Sequence, residues 1–210
     1  MDCNDLVTAA LAAGGHRVRY SPAHVQKLFF LIDRELAPHV GGPYFRFEPF
    51  HYGPFDREVY RVLDALASMG RLDTVAKGNF FIYRLTEMGQ AVGDAILAAR
   101  PPEVAACLGE CARWVRVQSF RSLVMEIYAR YPDMAANSRV PDLVERARER
   151  RQTQSKSRAF VRGVGSILNL APRTPNPFQD DVQKALADDW HAIGDDWRNL
   201  AAPFPKFPHG

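Results

Sequence analysis

The sequence has few cysteines and no hydrophobic run of the length that defines a membrane protein. Its three cysteines among 210 residues are sparsely placed and form no disulfide framework of the kind found in small secreted domains. No apolar run approaches the roughly 18 residues needed to cross a bilayer. Acids stand near the N-terminus, where a signal peptide carries bases. We therefore expect a cytoplasmic protein without membrane contacts.

A large excess of one charge is also missing. The formal net charge is +3, which permits binding to nucleic acid but does not require it. Hydrophobic residues make up 47% of the chain, enough for one well-packed core with an appendage. This ordinary composition argues against a largely disordered or fibrous protein.

Apolar spacing over the first hundred residues predicts the order helix, helix, strand, helix, hairpin, helix. The predicted elements are helices over 5–13 and 21–37, a strand within 43–55, a helix over 56–69, two strands over 71–85 around a turn at 77–79, and a helix beginning at Thr86. Ser21-Pro22 is a helix start and Gly14-Gly15 a helix stop. The helix over 56–69 has one apolar face that is expected to be buried: Val59, Val62, Leu63, Leu66 and Met69.

Two more helices are predicted over 102–118 and 120–131, and the composition changes after Asn137. We divide the chain into a winged-helix domain over 1–99, a helical support or dimerisation segment over 100–137, and a basic linker with an amphipathic C-terminal extension over 138–210. The predicted fold class is mainly α with a small β-hairpin wing, an α+β winged helix-turn-helix, followed by a helical C-terminal extension.

Two sets of motifs resemble known bacterial families. The glycine stop at Gly70, the two strands with a basic turn, and the run Tyr83-Arg84-Leu85-Thr86-Glu87-Met88-Gly89 resemble the helix–wing unit of PadR-like and MarR-like regulators. Gln26-Lys27-Leu28, Tyr52-Gly53-Pro54 and Val59-Tyr60 resemble the arrangement in SocA-like (Panacea) and YwgA-like proteins. The resemblance covers about residues 20–137. It implies a winged helix in which 56–69 is the recognition helix and 77–79 the wing tip.

The first functional prediction is a DNA-binding transcriptional regulator that represses its own operon, as a homodimer formed through helices 102–131. The residues expected to contact double-stranded DNA lie on the recognition helix, the wing and the later basic run: Arg57, Tyr60, Arg61, Ser68, Arg71, Lys77, Asn79, Arg146, Arg150 and Arg151. Arg57 and Arg61, one turn apart, could reach a guanine edge or two phosphates.

The same residues also fit a solvated surface. Glu58 and Asp64 share the outward face with the arginines, where they would repel phosphate and form pairs along the helix. The basic run over 139–162 is either a phosphate-binding arm or a solvated linker helix. The sequence leaves both alternatives open.

The second functional prediction is a protein-interaction module, such as an antitoxin-like or phage-defence accessory protein. Two amphipathic segments within 160–200 would hold the partner, and their apolar residues are Phe160, Ile167, Leu168, Trp190, Ile193 and Trp197. Packing of these segments on the protein's own core is the alternative.

Enzymatic chemistry finds little support. Cys107 and Cys111 stand at i and i+4, but no nearby histidine or cysteine completes a metal site. The sequence contains no P-loop, no Gly-x-Ser-x-Gly element and no dinucleotide-binding glycine motif. We therefore expect no enzyme, no cofactor and no metal.

Overall fold

The computed structural model describes residues 1–77 and 80–156. The helices in this part of the chain are α1 (Cys3–Ala13), α2 (Pro22–Leu31), α3 (Ala37–Val40), α4 (Glu58–Ser68), α5 (Glu87–Ala98), α6 (Pro102–Val117), α7 (Phe120–Arg130) and α8 (Pro141–Lys156). The strands form two antiparallel hairpins, β1 (Glu48–Phe50) with β2 (Gly53–Phe55), and β3 (Leu72–Lys77) with β4 (Phe80–Leu85). The described chain is thus mainly helical, as predicted, and it contains two small sheets where one hairpin and one strand were predicted.

The predicted helix over 21–37 is interrupted. Its start is correct, because the Ser21 side chain accepts a hydrogen bond from the His24 N–H and Pro22 occupies the first turn. However, α2 ends at Leu31, and a π-helical turn over Ile32–Leu36 precedes the short helix α3. Pro38 explains the break, since a continuous α-helix would bring its ring against the Arg34 carbonyl group.

The region 43–55 is a short hairpin rather than one strand. Residues 43–47 precede β1 and lie outside the ladder, although Phe45 and Phe47 alternate with polar residues. The backbone N–H groups of this segment donate to side-chain carboxylates instead of to the carbonyl groups of a neighbouring strand. The Tyr44 and Phe45 N–H groups donate to the Asp33 carboxylate, at 3.0 and 2.8 Å. Alternation alone does not reveal such a partner.

A third short strand segment extends the second hairpin. Tyr20, between α1 and α2, exchanges two backbone hydrogen bonds of 2.9 Å with Tyr83 of β4. This bridge adds Tyr20 to the side of β4 that faces away from β3. The resulting order along the chain is α1, the Tyr20 bridge, α2, the first hairpin, α4 and the second hairpin.

One hydrophobic core joins all three predicted regions, because its buried cluster runs from Leu6 to Ala147. The apolar faces of α6 and α7 belong to it, and α6 packs on α1 and α2. In α4 four of the five residues expected to be buried are buried. Met69 is the exception with 48% exposure, because the helix has ended at Ser68 and Met69 lies in the cap. Among the described residues, no helix has the length and hydrophobicity to cross a membrane.

Candidate nucleic-acid interface

A buried glutamine fixes the start of α4. The Gln26 side chain donates to the Asp56 carbonyl oxygen at 2.8 Å and accepts from the Asp56 N–H at 3.0 Å. The Asp56 carboxylate in turn accepts from the Glu58 N–H at 2.8 Å and so caps the helix. The helix therefore starts at a backbone position that α2 holds by two hydrogen bonds.

A buried lysine holds the preceding hairpin. Lys27 Nζ donates to the Pro54 carbonyl oxygen at 3.3 Å, and the residue is 4% exposed. Burial lowers the pKa of Lys27 from 10.5 to about 7. Gly53 adopts a φ of 93°, a conformation that favours glycine, and this places the hairpin next to the side chains of Lys27 and Tyr128.

These contacts give a structural account of the residues that carry the SocA-like resemblance. Gln26 and Lys27 clamp the hairpin that contains Gly53 and Pro54, and the Tyr52 ring packs edge-on against Phe120 at 5.2 Å. Sequence reasoning assigned no contacts to Gln26 and Lys27. The available signal was a polar pair inside the apolar stretch from Val25 to Leu31.

The outward face of α4 carries a continuous polar stripe. Its members recur at spacings of four, three and four residues and all are exposed: Arg57, Arg61, Asp64 and Ser68. Arg61 forms an ion pair with Glu58 at 3.0 Å. Arg57 makes no side-chain ion pair with any residue in the described ranges. The amino-terminal half of the stripe is therefore cationic, whereas Asp64 makes the other half acidic or neutral.

Tyr60 does not belong to this stripe, although the sequence analysis placed it on the outward face. Its ring lies between Phe55 at 6.0 Å and Tyr83 at 6.4 Å, and it is half-buried against the core. Burial raises the pKa of its hydroxyl far above the usual value. Tyr60 thus joins α4 to β4 instead of presenting its ring to solvent.

The carboxyl end of α4 is tied to the second hairpin. The Thr86 hydroxyl donates to the Gly70 carbonyl oxygen at 2.7 Å, and the Thr86 N–H donates to the Arg71 carbonyl oxygen at 3.1 Å. Thr86 also caps α5 by accepting from the Gly89 N–H. A Cβ at Gly89 would lie 1.9 Å from the Arg71 carbonyl oxygen, so only glycine fits there. The Leu-Thr-x-x-Gly pattern in this chain therefore fixes the hairpin relative to α4.

The residues predicted to contact DNA from the wing are Arg71, Lys77 and Asn79, and the structure describes the first two. Lys77 is exposed at the end of β3, and Arg71 is half-buried at the end of α4. Arg84 pairs across the hairpin with Asp73 at 2.6 Å. Asn79 lies outside the described residues. From Arg57 to Leu85 the sequence carries five basic residues (Arg57, Arg61, Arg71, Lys77, Arg84) against three acidic ones (Glu58, Asp64, Asp73).

The later arginines lie on α8, which packs along α7. Arg150 forms an ion pair with Glu126, and Arg148 forms one with Glu145 at 3.5 Å. Arg146 and Arg151 are exposed and have no ion pair within the described ranges. Because α4 packs on α1, α2 and β3, the structure places these arginines on a different part of the fold from the α4 stripe.

The other predicted contacts fall in two regions. Every predicted partner-binding residue, from Phe160 to Trp197, lies outside the described residues. The apolar side chains of helices 102–131 are mostly buried inside the protein, and Val117, at 48% exposure, is the large apolar side chain most exposed there.

Within the described part of the chain, no cluster of three metal-ligating side chains occurs. No family model, curated protein or solved structure matches this chain.

Proposed function

We propose that this protein is a winged-helix transcriptional regulator that binds double-stranded DNA, with α4 as the recognition helix, and that it represses its own operon. One observation carries the proposal: the exposed stripe of Arg57, Arg61, Asp64 and Ser68 is cationic in its amino-terminal half and lies on a helix that is fixed at both ends and followed by a hairpin. The order of α1, the Tyr20 bridge, α2, the first hairpin, α4 and the second hairpin supports the proposal, because it is compatible with a winged helix that carries one inserted hairpin.

The charges favour recognition of bases together with only a few phosphate contacts. Arginine can donate two parallel hydrogen bonds to the major-groove edge of guanine, and Arg57 is exposed with no competing carboxylate pair within the described ranges. Glu58 partly neutralises Arg61, and Asp64 disfavours a phosphate near the middle of the helix. Each neutralised phosphate contributes about −0.9 to the slope of log affinity against log salt, so two or three phosphate contacts would give a slope of roughly −2 to −3.

Fluorescence anisotropy of the full chain with duplexes from its own upstream region tests the proposal at about 50 mM salt. We expect Arg57→Ala to weaken a preferred duplex by roughly 1–3 kcal/mol and to relax its sequence choice, because a base contact is lost. Arg71→Ala should weaken all duplexes similarly, because Arg71 is expected to contact a phosphate rather than a base.

Arg113→Ala is the matched control for Arg61→Ala. Arg113 also pairs with a glutamate three residues earlier on an exposed helix surface, but it lies on α6. The two substitutions remove similar local ion pairs, each worth only a few tenths of a kcal/mol of stability. Weaker binding by Arg61→Ala alone supports the proposal. Equal affinities for both variants, or no duplex binding by the wild type, would contradict it.

A further inference from the structure

The strand β3 has an open edge. β4 lies on one side of it, and no other strand within the described ranges pairs with its second side. Thr74, Val75, Ala76 and Lys77 are all exposed, and Val75 is 52% exposed. An exposed strand edge offers unpaired N–H and C=O groups to another strand.

The pairing pattern identifies the outward-pointing backbone groups. Tyr83 uses both its N–H and its C=O to bond Tyr20, so it cannot also exchange hydrogen bonds with Thr74, the residue opposite it on β3. Hydrogen-bonded and non-hydrogen-bonded pairs alternate along an antiparallel ladder. Thr74 and Ala76 therefore direct their N–H and C=O groups away from β4, toward the open edge.

Only certain registers can pair two such edges about a two-fold axis. Thr74 and Ala76 must both meet outward-pointing residues of the second strand. If the axis passes through Val75, Thr74 of one copy lies opposite Ala76 of the other, and each pair exchanges two hydrogen bonds. The same register places Asp73 opposite Lys77 at both ends of the contact.

Charge separates this register from its neighbours. With the axis at Thr74, Lys77 would face the cationic Arg71 and Asp73 would face Val75. With the axis at Ala76, Lys77 would face Val75. Opposite charges stabilise a directly opposed pair and like charges destabilise it. Of these three registers, only the one centred on Val75 places opposite charges from the two copies against each other.

We propose that the β3 edge binds a second copy of this chain, by antiparallel pairing of β3 with β3 about Val75. A second copy of β3 is the partner that fits this edge. In antiparallel orientation it places a lysine opposite Asp73, a valine opposite Val75 and an aspartate opposite Lys77. The pairing also brings the two Val75 side chains, each 52% exposed, next to one another. It leaves α6 and α7 inside each protomer, where their apolar faces are already buried.

Sedimentation velocity of the full chain without DNA tests this dimer separately from DNA binding. Asp73→Lys and Lys77→Asp each replace two opposite-charge pairs between the copies by two like-charge pairs, so each should weaken self-association by about tenfold. Asp73→Lys also removes the ion pair with Arg84 inside the hairpin, whereas Lys77→Asp keeps that pair intact. An equimolar mixture of the two variants restores opposite charges at both ends and should regain dimers. Arg113→Glu, a charge reversal on α6, should leave self-association unchanged.

A second variant separates edge pairing from hairpin folding. Thr74→Pro removes an outward-facing N–H and leaves the hydrogen bonds to β4 intact, because proline is tolerated on an edge when its nitrogen faces away from the ladder. We expect a folded monomer by circular dichroism and sedimentation. The proposal is wrong if the wild type remains monomeric at its highest soluble concentration. It is also wrong if the mixed variants stay monomeric, or if Thr74→Pro dimerises like the wild type.

Discussion

Replacing Lys27 by methionine should remove a specific pH dependence from the stability of this protein. Lys27 is 4% exposed, and its Nζ donates a 3.3 Å hydrogen bond to the Pro54 carbonyl oxygen. Burial lowers the pKa of Lys27 from 10.5 to about 7. Between these two pH values the unfolded chain binds a proton that the folded protein does not, so the free energy of unfolding rises with pH.

The magnitude follows from the two pKa values. Each unit of difference corresponds to about 1.4 kcal/mol, so the full shift corresponds to roughly 4–5 kcal/mol. The range from about pH 6 to pH 8.5 covers only part of this difference. Over that range the Lys27 side chain should raise the free energy of unfolding of the wild type by about 2 kcal/mol. This stability is lost again as the pH falls through 7.

Urea unfolding of the wild type and Lys27→Met at several pH values measures the effect. The difference in unfolding free energy between the two proteins should change by about 2 kcal/mol over this range, because other titrating groups contribute equally to both. Lys27→Arg is the control that keeps a donor but cannot lose its charge. It should be destabilised throughout and should also lack the slope. Identical pH profiles for the wild type and Lys27→Met would refute the reasoning.

Two further substitutions test how α4 is held. Gln26→Leu leaves the Asp56 N–H and C=O groups without their side-chain partners, and at about 1–3 kcal/mol per unsatisfied group we expect a loss of roughly 2–6 kcal/mol in urea unfolding. A loss below about 0.5 kcal/mol would mean that the clamp is not formed. Gly89→Ala should lower the melting temperature markedly, because its Cβ would meet the Arg71 carbonyl oxygen at 1.9 Å. Gly109→Ala is the matched helical control, because its Cβ would lie 3.3 Å from the Ala13 carbonyl oxygen and needs a shift of only a few tenths of an ångström, so its melting temperature should fall far less. Equal melting temperatures for both glycine variants would contradict the close approach.

Local signals predicted most of the helices and the second hairpin. The Ser21-Pro22 start, the Thr86 cap and the apolar spacing of α4 each depend on residues within a few positions of one another. Because these signals are local, the observed boundaries of α4 and β3 lie close to the predicted ones. Met69 was misassigned because it continues the apolar period one residue beyond the end of the helix.

Contacts between distant residues account for what the sequence could not show. The extended chain at 44–45 depends on Asp33, and the start of α4 depends on Gln26, thirty residues away. Tyr60 has the spacing of an outward residue, but the aromatic rings of Phe55 and Tyr83 cover it. The orientation of the backbone groups on β3 also depends on a distant contact, because the Tyr20 bridge to Tyr83 determines which of them point to the open edge.

Contact between α4 and DNA is the central claim, and site-specific crosslinking measures it most directly. Ser68→Cys places a thiol on the exposed stripe, where a photoreactive group can be attached. The native thiols compete little at neutral pH, because Cys107 and Cys111 are buried and burial raises the pKa of Cys3 to about 11. Arg113→Cys on α6 is the control position. We predict crosslinks to bound duplex DNA from residue 68 and few from residue 113. Duplex binding without crosslinks from residue 68, or equal crosslinking from both positions, would contradict the account.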